Sequence, residues 1–426
     1  MKREISVFAF VLVCSASLVN GQSLKFDLGE GKGNAGRTLV KVTDVYTMEK
    51  GYGFEPGTEV TCSANGGKTS AGYCGSNKPF YFSVAVPEGN YKVTITFGSK
   101  SDSSITTVKA ELRRLMLERI ETSKGKFATA SFIVNVRTPN IAGDGEVKLK
   151  DREQTTEWRA WDGKLTLEFN NSRPIVDSID IERVNVPTIY LLGDSTVCDQ
   201  PLEPYASWGQ MLTRFFGIGV AIANHAESGE SLRSSLGAKR LDKVLSLIKP
   251  GDYLLIQYAH NDEKEKGEGV GAFTTFKSDL KLFVESARKK GANPVLITPV
   301  QRRTFDKDGK LVVNSHGDYP EAVRQAAKEE NVPLIDLNAM SKVLYEALGK
   351  DGSGILFKQG DGTHHNNYGS YELAKCIVEG IKANKLPIAR YLVRNIPTFD
   401  PAHPDPIAKF DVPASPLTAD TKPLGN

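Results

Sequence analysis

The stretch TIYLLGDST, Thr188 to Thr196, marks where the chain changes architecture. It is a short apolar run ending in glycine, the pattern of a strand buried on both faces within a parallel sheet. Downstream, helical and strand patterns alternate. The amphipathic SWGQMLTRFFG is followed by AIANHAESGES, the helical SLGAKRLDKVLSLIK and the strand DYLLIQYAHND. Then come the helix TTFKSDLKLFVESARKKG, the strand NPVLITPV, the helical PEAVRQAAKEEN, the strand PLIDLN and a last helix, SYELAKCIVEGIKAN. Such alternation predicts an α/β domain over residues 186–395, with a parallel sheet covered by helices on both faces.

Upstream the pattern is β. YFSVAVPEGNYKVTITFG alternates apolar and polar residues on either side of a PEGN turn, which signals a hairpin. ATASFIVNVR, GEVKLK, GKLTLEFN and IVDSIDIERV read as further strands without helices between them. That predicts an all-β antiparallel sandwich over residues 22–185. VKAELRRLMLERIE has a helical composition, but its place between strands makes it a strand or loop. The tail, residues 396–426, carries seven prolines from Pro397 to Pro423. They forbid regular structure, so an extended or disordered tail is expected.

Residues 1–21 pair a basic start (MKRE) with the short apolar run ISVFAFVLVCSASLV, the pattern of a secretory signal peptide cut near Gly21. The run is too short for a membrane span, and bulky Val13 argues against a lipoprotein signal at Cys14. A secreted or periplasmic protein is expected, in which Cys62 and Cys74 can close the loop between them as a disulfide. Cys198 and Cys376 read as buried thiols. A net charge of +3 gives no strong field for nucleic acid. Nothing after the N-terminus is apolar enough to span a bilayer. The oligomeric state is not legible, and a monomer is the working expectation.

Ligands in open α/β sheets bind beyond the carboxyl ends of the strands. GDST, ESGES, AHND and DGTHH all fall at that edge. On GDST alone, Ser195 is better read as a helix-capping serine. No G-x-S-x-G elbow surrounds it, which argues against the α/β-hydrolase class. A serine nucleophile needs a base, and the base an orienting acid. His364 and Asp361, three residues apart on a turn, fit those roles. Gly229 offers an unobstructed backbone N–H and Asn261 a side-chain amide, two donors for an oxyanion. Each residue has an ordinary structural explanation, as turn glycine, strand-end amide, Asx-turn or surface histidine. Together they form a complete set of nucleophile, base, acid and donors.

In order and placement, GDST, SGES, HND and DGTH resemble the four sequence blocks of the SGNH, or GDSL-type, hydrolases, over roughly Thr188 to Leu386. GDSTVCD, SWGQ and DGTHHNNYG are more specifically similar to the rhamnogalacturonan acetylesterases of carbohydrate esterase family 12. The resemblance implies a flavodoxin-like three-layer αβα fold and metal-free, cofactor-free removal of acetyl groups from pectin. Carried over by motif, Ser195 is the nucleophile, and Asp361 and His364 complete the triad. The backbone N–H of Ser195, with Gly229 and Asn261, forms the oxyanion hole. Ala259 departs from the pattern, standing where many relatives have glycine. Asp194 is read as structural.

Trp208, His260 and His365 are candidates to line the substrate site. The better reading of Trp208 is packing near the site, and of His365 a structural polar residue. The closing segment WDGKLTLEFNNSRPIVDSIDIERV resembles a galactose-binding-like module of jelly-roll type. Tyr52, Phe54, Trp158 and Trp161 are its sugar-stacking candidates, though packing accounts for each more readily.

The implied partner is an acetylated plant cell-wall polysaccharide. Three other readings stay open: the same esterase acting on xylan or another glycan, a non-catalytic glycan-binding protein, and a metal hydrolase. The last would use Asp361, His364 and His365 with help from His225 or His260. A catalytic zinc wants about three protein ligands, and adjacent side chains point differently.

Overall fold

The computed structural model describes residues 23–143, 145–394, 396–418 and 423. The expected signal peptide lies outside them. Among the described residues, no helix is long and apolar enough to cross a membrane.

Two large sheets and a two-stranded ribbon, Asn140–Ile141 against Gly145–Glu146, form the first unit. One runs in the order 127–136, 89–98, 175–184, 23–28, 38–40, with the short strands 61–63 and 73–75 at its margin. The other runs 52–54, 80–85, 164–173, 104–110, 114–122. Pairing is antiparallel except between 23–28 and 38–40. The period-2 pattern sends alternate residues inward, so Phe82, Val93, Ile95, Leu167, Ile179 and Ile181 meet in one core between the sheets. Cys62 and Cys74 face each other on paired strands and are joined by a disulfide.

VKAELRRLMLERIE is a hairpin, Ser104–Ala110 against Arg114–Thr122. Glu111 and Arg113 turn it at positive φ. Its helix-like charge is used at a domain seam. Arg113 donates to the carbonyls of Gln200 and Tyr205, each at 2.9 Å, and pairs with Glu203 at 2.5 Å. Of GEVKLK only Gly145–Glu146 is strand. The next residues leave the sheet, because Lys148 donates its N–H to Ala238 and Lys150 reaches the second unit. A short helix, Asp151–Thr155, follows, which the sequence pattern did not reveal.

The second unit is a five-stranded parallel sheet. Its strands are β1 (Thr188–Gly193), β2 (Ala221–Asn224), β3 (Tyr253–Gln257), β4 (Asn293–Ile297) and β5 (Leu334–Ile335), in the order β2-β1-β3-β4-β5. This is the flavodoxin-like order, with its switch point between β1 and β3. Helices α1 (Trp208–Leu212), α2 (Leu232–Gly237), α3 (Arg240–Leu247), α4 (Lys277–Lys289), α5 (Tyr319–Glu329), α6 (Leu337–Gly352) and α7 (Asn367–Ala383) connect and cover the strands. Helix α6 is absent from the sequence reading, although Asp336 caps it through the N–H of Ala339. One apolar layer joins Ile189, Leu191, Trp208, Leu373 and Ile377. The other joins Tyr190, Leu192, Leu254, Phe283 and Val323.

The proline-rich tail is packed, and against the expectation of no regular structure it holds one 3-10 turn at Ile407–Lys409, which starts directly after Pro406. Phe399 and Val412 are buried against the second unit. Lys109 of the first unit donates to the Pro413 carbonyl at 2.7 Å, and Asn170 to that of Ala414 at 2.9 Å. The tail therefore closes a seam between the units.

Candidate active site

Strand β1 leads straight to Ser195. Gly193 ends the strand with no room for a side chain: a Cβ there would lie 2.6 Å from the Gln257 carbonyl oxygen. The turn after it is tied by Asp194, whose carboxylate accepts from the Thr196 N–H at 2.9 Å and its hydroxyl at 2.8 Å. Ser195 therefore stands on a braced turn. Gln200 holds its carbonyl at 2.8 Å.

DGTHH lies on the turn before α7, which Asn366 caps through the N–H of Gly369. His364 Nε2 is 3.0 Å from Ser195 Oγ, and His364 Nδ1 is 3.1 Å from Asp361 Oδ2. The other Asp361 oxygen accepts the N–H groups of Thr363 and His364 at 2.8 and 3.1 Å. Burial opposes charge on Asp361, but the hydrogen bonds from His364 and these two N–H groups outweigh it and hold the carboxyl well below its usual range. A carboxylate only accepts, so Nδ1 carries the proton and Nε2 presents its lone pair to the serine hydroxyl.

Gly229 sits at φ +76° in the loop after β2, a conformation that favours glycine. Neither Ser195 nor Gly229 gives its backbone N–H to another group among the described residues. Asn261 spends one amide hydrogen on the Glu230 carbonyl at 2.9 Å, which fixes the amide beside the Gly229 loop and leaves the second hydrogen. Asp262 joins the same two loops by accepting the N–H of Leu232 at 2.8 Å. Ala259 holds φ +140°, the backbone reason that glycine suits this position.

The three substrate-lining candidates pack into the protein around the serine and histidine turns. Trp208 is fully buried and donates Nε1 to Gln257, which in turn donates to Thr196 Oγ1. It buttresses the serine turn from inside. His260 is fully buried, with Nδ1 3.3 Å from Asp194 and its ring edge-on to His316. Burial lowers its pKa to about 4 despite Asp194, so it is neutral. His365 shares a 2.6 Å hydrogen bond with the Tyr345 hydroxyl and lies against Phe357. Each side chain is committed to the interior.

Metal ligation fares no better. Both ring nitrogens of His364 face protein partners, as does Nε2 of His365. Among the described residues, the group of three potential ligands in mutual reach is Glu153, Glu157 and Glu227, and Arg152 and Arg240 pair with it. The stacking candidates are likewise occupied. Phe54 is in the β core, Tyr52 packs on Phe26, Trp161 lies under Arg137, and Trp158 under Lys164.

Sequence reasoning missed the support behind the site. Lys150 and Arg152, from the first unit, reach the Gly229 loop: Lys150 Nζ is 2.7 Å from the Ser228 carbonyl oxygen, and Arg152 Nε is 2.9 Å from Glu227. Nothing in GEVKLK signals a contact with a loop so distant in sequence.

Gln200 Nε2 bridges the Ser195 carbonyl at 2.8 Å and the Ser228 hydroxyl at 3.2 Å, so the Gly229 loop adjoins the serine turn, and a base-activated serine in that setting is equipped for acyl transfer. Residues 191–370 match the GDSL-like lipase/acylhydrolase family, and residues 24–136 match the β-agarase/YXIM esterase-like, galactose-binding domain-like family. Three proteins of Bacillus subtilis (strain 168) are similar. Rhamnogalacturonan acetylesterase RhgT is 43% identical over 220 residues, covering 48% of this chain and 94% of that protein. The uncharacterized esterase YxiM is 29% identical over 395 residues, covering 88% and 97%. The probable rhamnogalacturonan acetylesterase YesY is 36% identical over 213 residues, covering 48% and 97%. The chain thus belongs to the GDSL-like lipase/acylhydrolase family, a carboxylic ester hydrolase with an N-terminal galactose-binding-like domain.

Proposed function

We propose that this protein is a secreted serine esterase that removes O-acetyl groups from pectin, with rhamnogalacturonan as the polymer. The observation that carries the mechanism is the relay from Asp361 through His364 to Ser195, at 3.1 and 3.0 Å. Ser195 attacks the acetyl carbonyl while His364 Nε2 takes its proton. The N–H groups of Ser195 and Gly229 and the amide of Asn261 receive the oxyanion. His364 then protonates the departing sugar hydroxyl. Water, activated by the same histidine, releases acetate from the acetyl-enzyme. Asp361 stays ionised throughout and stabilises the imidazolium.

The choice of polymer is supported by the 43% identity with RhgT. Export is supported by the N-terminal sequence pattern and by the Cys62–Cys74 disulfide, a bond suited to an oxidising compartment. The test is acetate release by the purified protein from acetylated rhamnogalacturonan and, in parallel, acetylated xylan, without added metal. Faster release from rhamnogalacturonan is expected. Ser195→Ala should lower turnover by about 10⁴-fold or more. A preference for xylan would overturn the substrate, and an active Ser195→Ala protein the mechanism.

A further inference from the structure

The peptide joining Ser228 to Gly229 carries the Ser228 carbonyl on one side and the Gly229 N–H on the other. In a planar trans peptide these two groups point in opposite directions, so whatever fixes the carbonyl also aims the N–H. Lys150 fixes it, with Nζ 2.7 Å from the Ser228 oxygen and 2.8 Å from Glu230 Oε1.

Lys150 belongs to the β-sandwich unit and is itself held. Its N–H donates to Glu153 at 2.8 Å, and Lys148, two residues earlier, donates its N–H to the Ala238 carbonyl at 3.0 Å. Glu153 takes both terminal nitrogens of Arg240, at 3.1 and 2.7 Å, and Arg240 Nε lies 3.4 Å from Glu230. On the other flank Arg152 lies 2.9 Å from Glu227. Residues 227 to 230 are thus held at both ends from the first unit.

We infer that Lys150 is a positioning residue for the Gly229 oxyanion donor, which makes the β-sandwich part of the catalytic apparatus. The inference rests on the proposed role of Gly229. Two physical effects follow from the geometry. First, glycine at positive φ offers little steric resistance to rotation of its peptide, and the ammonium group blocks that rotation. Second, a cation on the carbonyl oxygen polarises the amide and strengthens its N–H as a donor. Both effects favour a developing oxyanion over a neutral ester carbonyl, so they act on kcat more than on KM.

The test is steady-state hydrolysis of p-nitrophenyl acetate by the full chain, with Lys150→Met and Lys150→Arg. Removing a whole oxyanion donor costs about 10²–10³ in kcat, so losing the support of one should cost about 10-fold in Lys150→Met, with KM changed by less than about twofold. Lys150→Arg keeps the cation and should stay within about threefold of wild type. Wild-type kcat in Lys150→Met overturns the inference. So does equal loss in both variants, which would make the role one of packing. Ser195→Ala separates the two levels. If it still turns over the ester, the serine mechanism fails and Lys150 with it. If it is inactive while Lys150→Met is normal, only the role of Lys150 fails.

Discussion

Ser415, in the proline-rich tail, donates its backbone N–H to the Glu203 carboxylate of the α/β unit at 2.7 Å. Its hydroxyl reaches Glu168 of the β-sandwich at 2.8 Å. Both acids are buried, and Lys109 and Arg113 supply the compensating charge. Burial works against the Glu203 carboxylate, but Arg113, Lys109 and the Ser415 N–H together lower its pKa. Ser415→Ala keeps that N–H but removes the hydroxyl that donates to Glu168 and accepts from Lys109 at 2.7 Å, and should cost about 1–3 kcal/mol, the range for leaving buried polar groups unsatisfied. Thermal unfolding measures it, and an unchanged midpoint would mean that water replaces the hydroxyl.

Arg240 and Glu153 form a two-pronged ion pair between the units, each about 1% exposed. Removing one partner leaves an uncompensated buried charge. Arg240→Ala should lose roughly 3–5 kcal/mol in a denaturant titration, far more than a surface pair would. Glu153 also accepts from Trp161 Nε1 at 3.1 Å, so Glu153→Gln should lose less than Glu153→Ala.

Asp361→Asn tests the relay. The amide can no longer hold Nδ1–H by charge, and an inverted amide would favour the wrong tautomer. A fall of about 10³–10⁴ in kcat is expected, with the fold kept. The same carboxyl is held below its ordinary pKa when folded. It therefore contributes stability above the unfolded value of about 3.9, and that contribution is lost as pH falls through the folded value. The stability advantage of wild type over Asp361→Asn should be flat near neutral pH and shrink only in acid. An advantage that grows on acidification would contradict the assignment.

Ala259 holds a backbone angle of +140° that costs a side-chain-bearing residue about 1–3 kcal/mol. Glycine relieves it but loses about 0.5–1 kcal/mol of chain entropy. Ala259→Gly should then raise the melting midpoint slightly while leaving ester hydrolysis intact. A lowered midpoint would mean that the Ala259 methyl contributes more by packing than the strain costs.

The sequence carried the sandwich, the parallel sheet and the Ser195, His364 and Asp361 set through local patterns. Period-2 alternation marks strands facing one core, alternating strands and helices mark a parallel sheet, and polar residues at strand ends mark its catalytic edge. Two elements escaped, one for a local reason and one for a tertiary one. Helix α6 begins inside PLIDLN, at Leu337 directly after its Asp336 cap, so its first turn reads as the end of the strand, and the strand pattern of GEVKLK is overridden by the contacts Lys148 and Lys150 make across the seam.

Other features depended on which surfaces meet in three dimensions. Periodicity says that a side chain is buried or exposed but not against what. In sequence, Trp208 already reads better as packing and His365 as a structural polar residue, while His260, beside a motif, stays a lining candidate. In the fold, hydrogen bonds to Gln257 and Tyr345 engage Trp208 and His365, and Asp194 approaches His260 at 3.3 Å. The chemistry of the site followed from residue types at strand ends, because a short turn fixes Asp361 against His364. The bracing of that site by Lys150 and the docking of the tail through Ser415 emerged only in the fold. Those contacts join segments 78 and 212 residues apart, and no local pattern encodes such a distance.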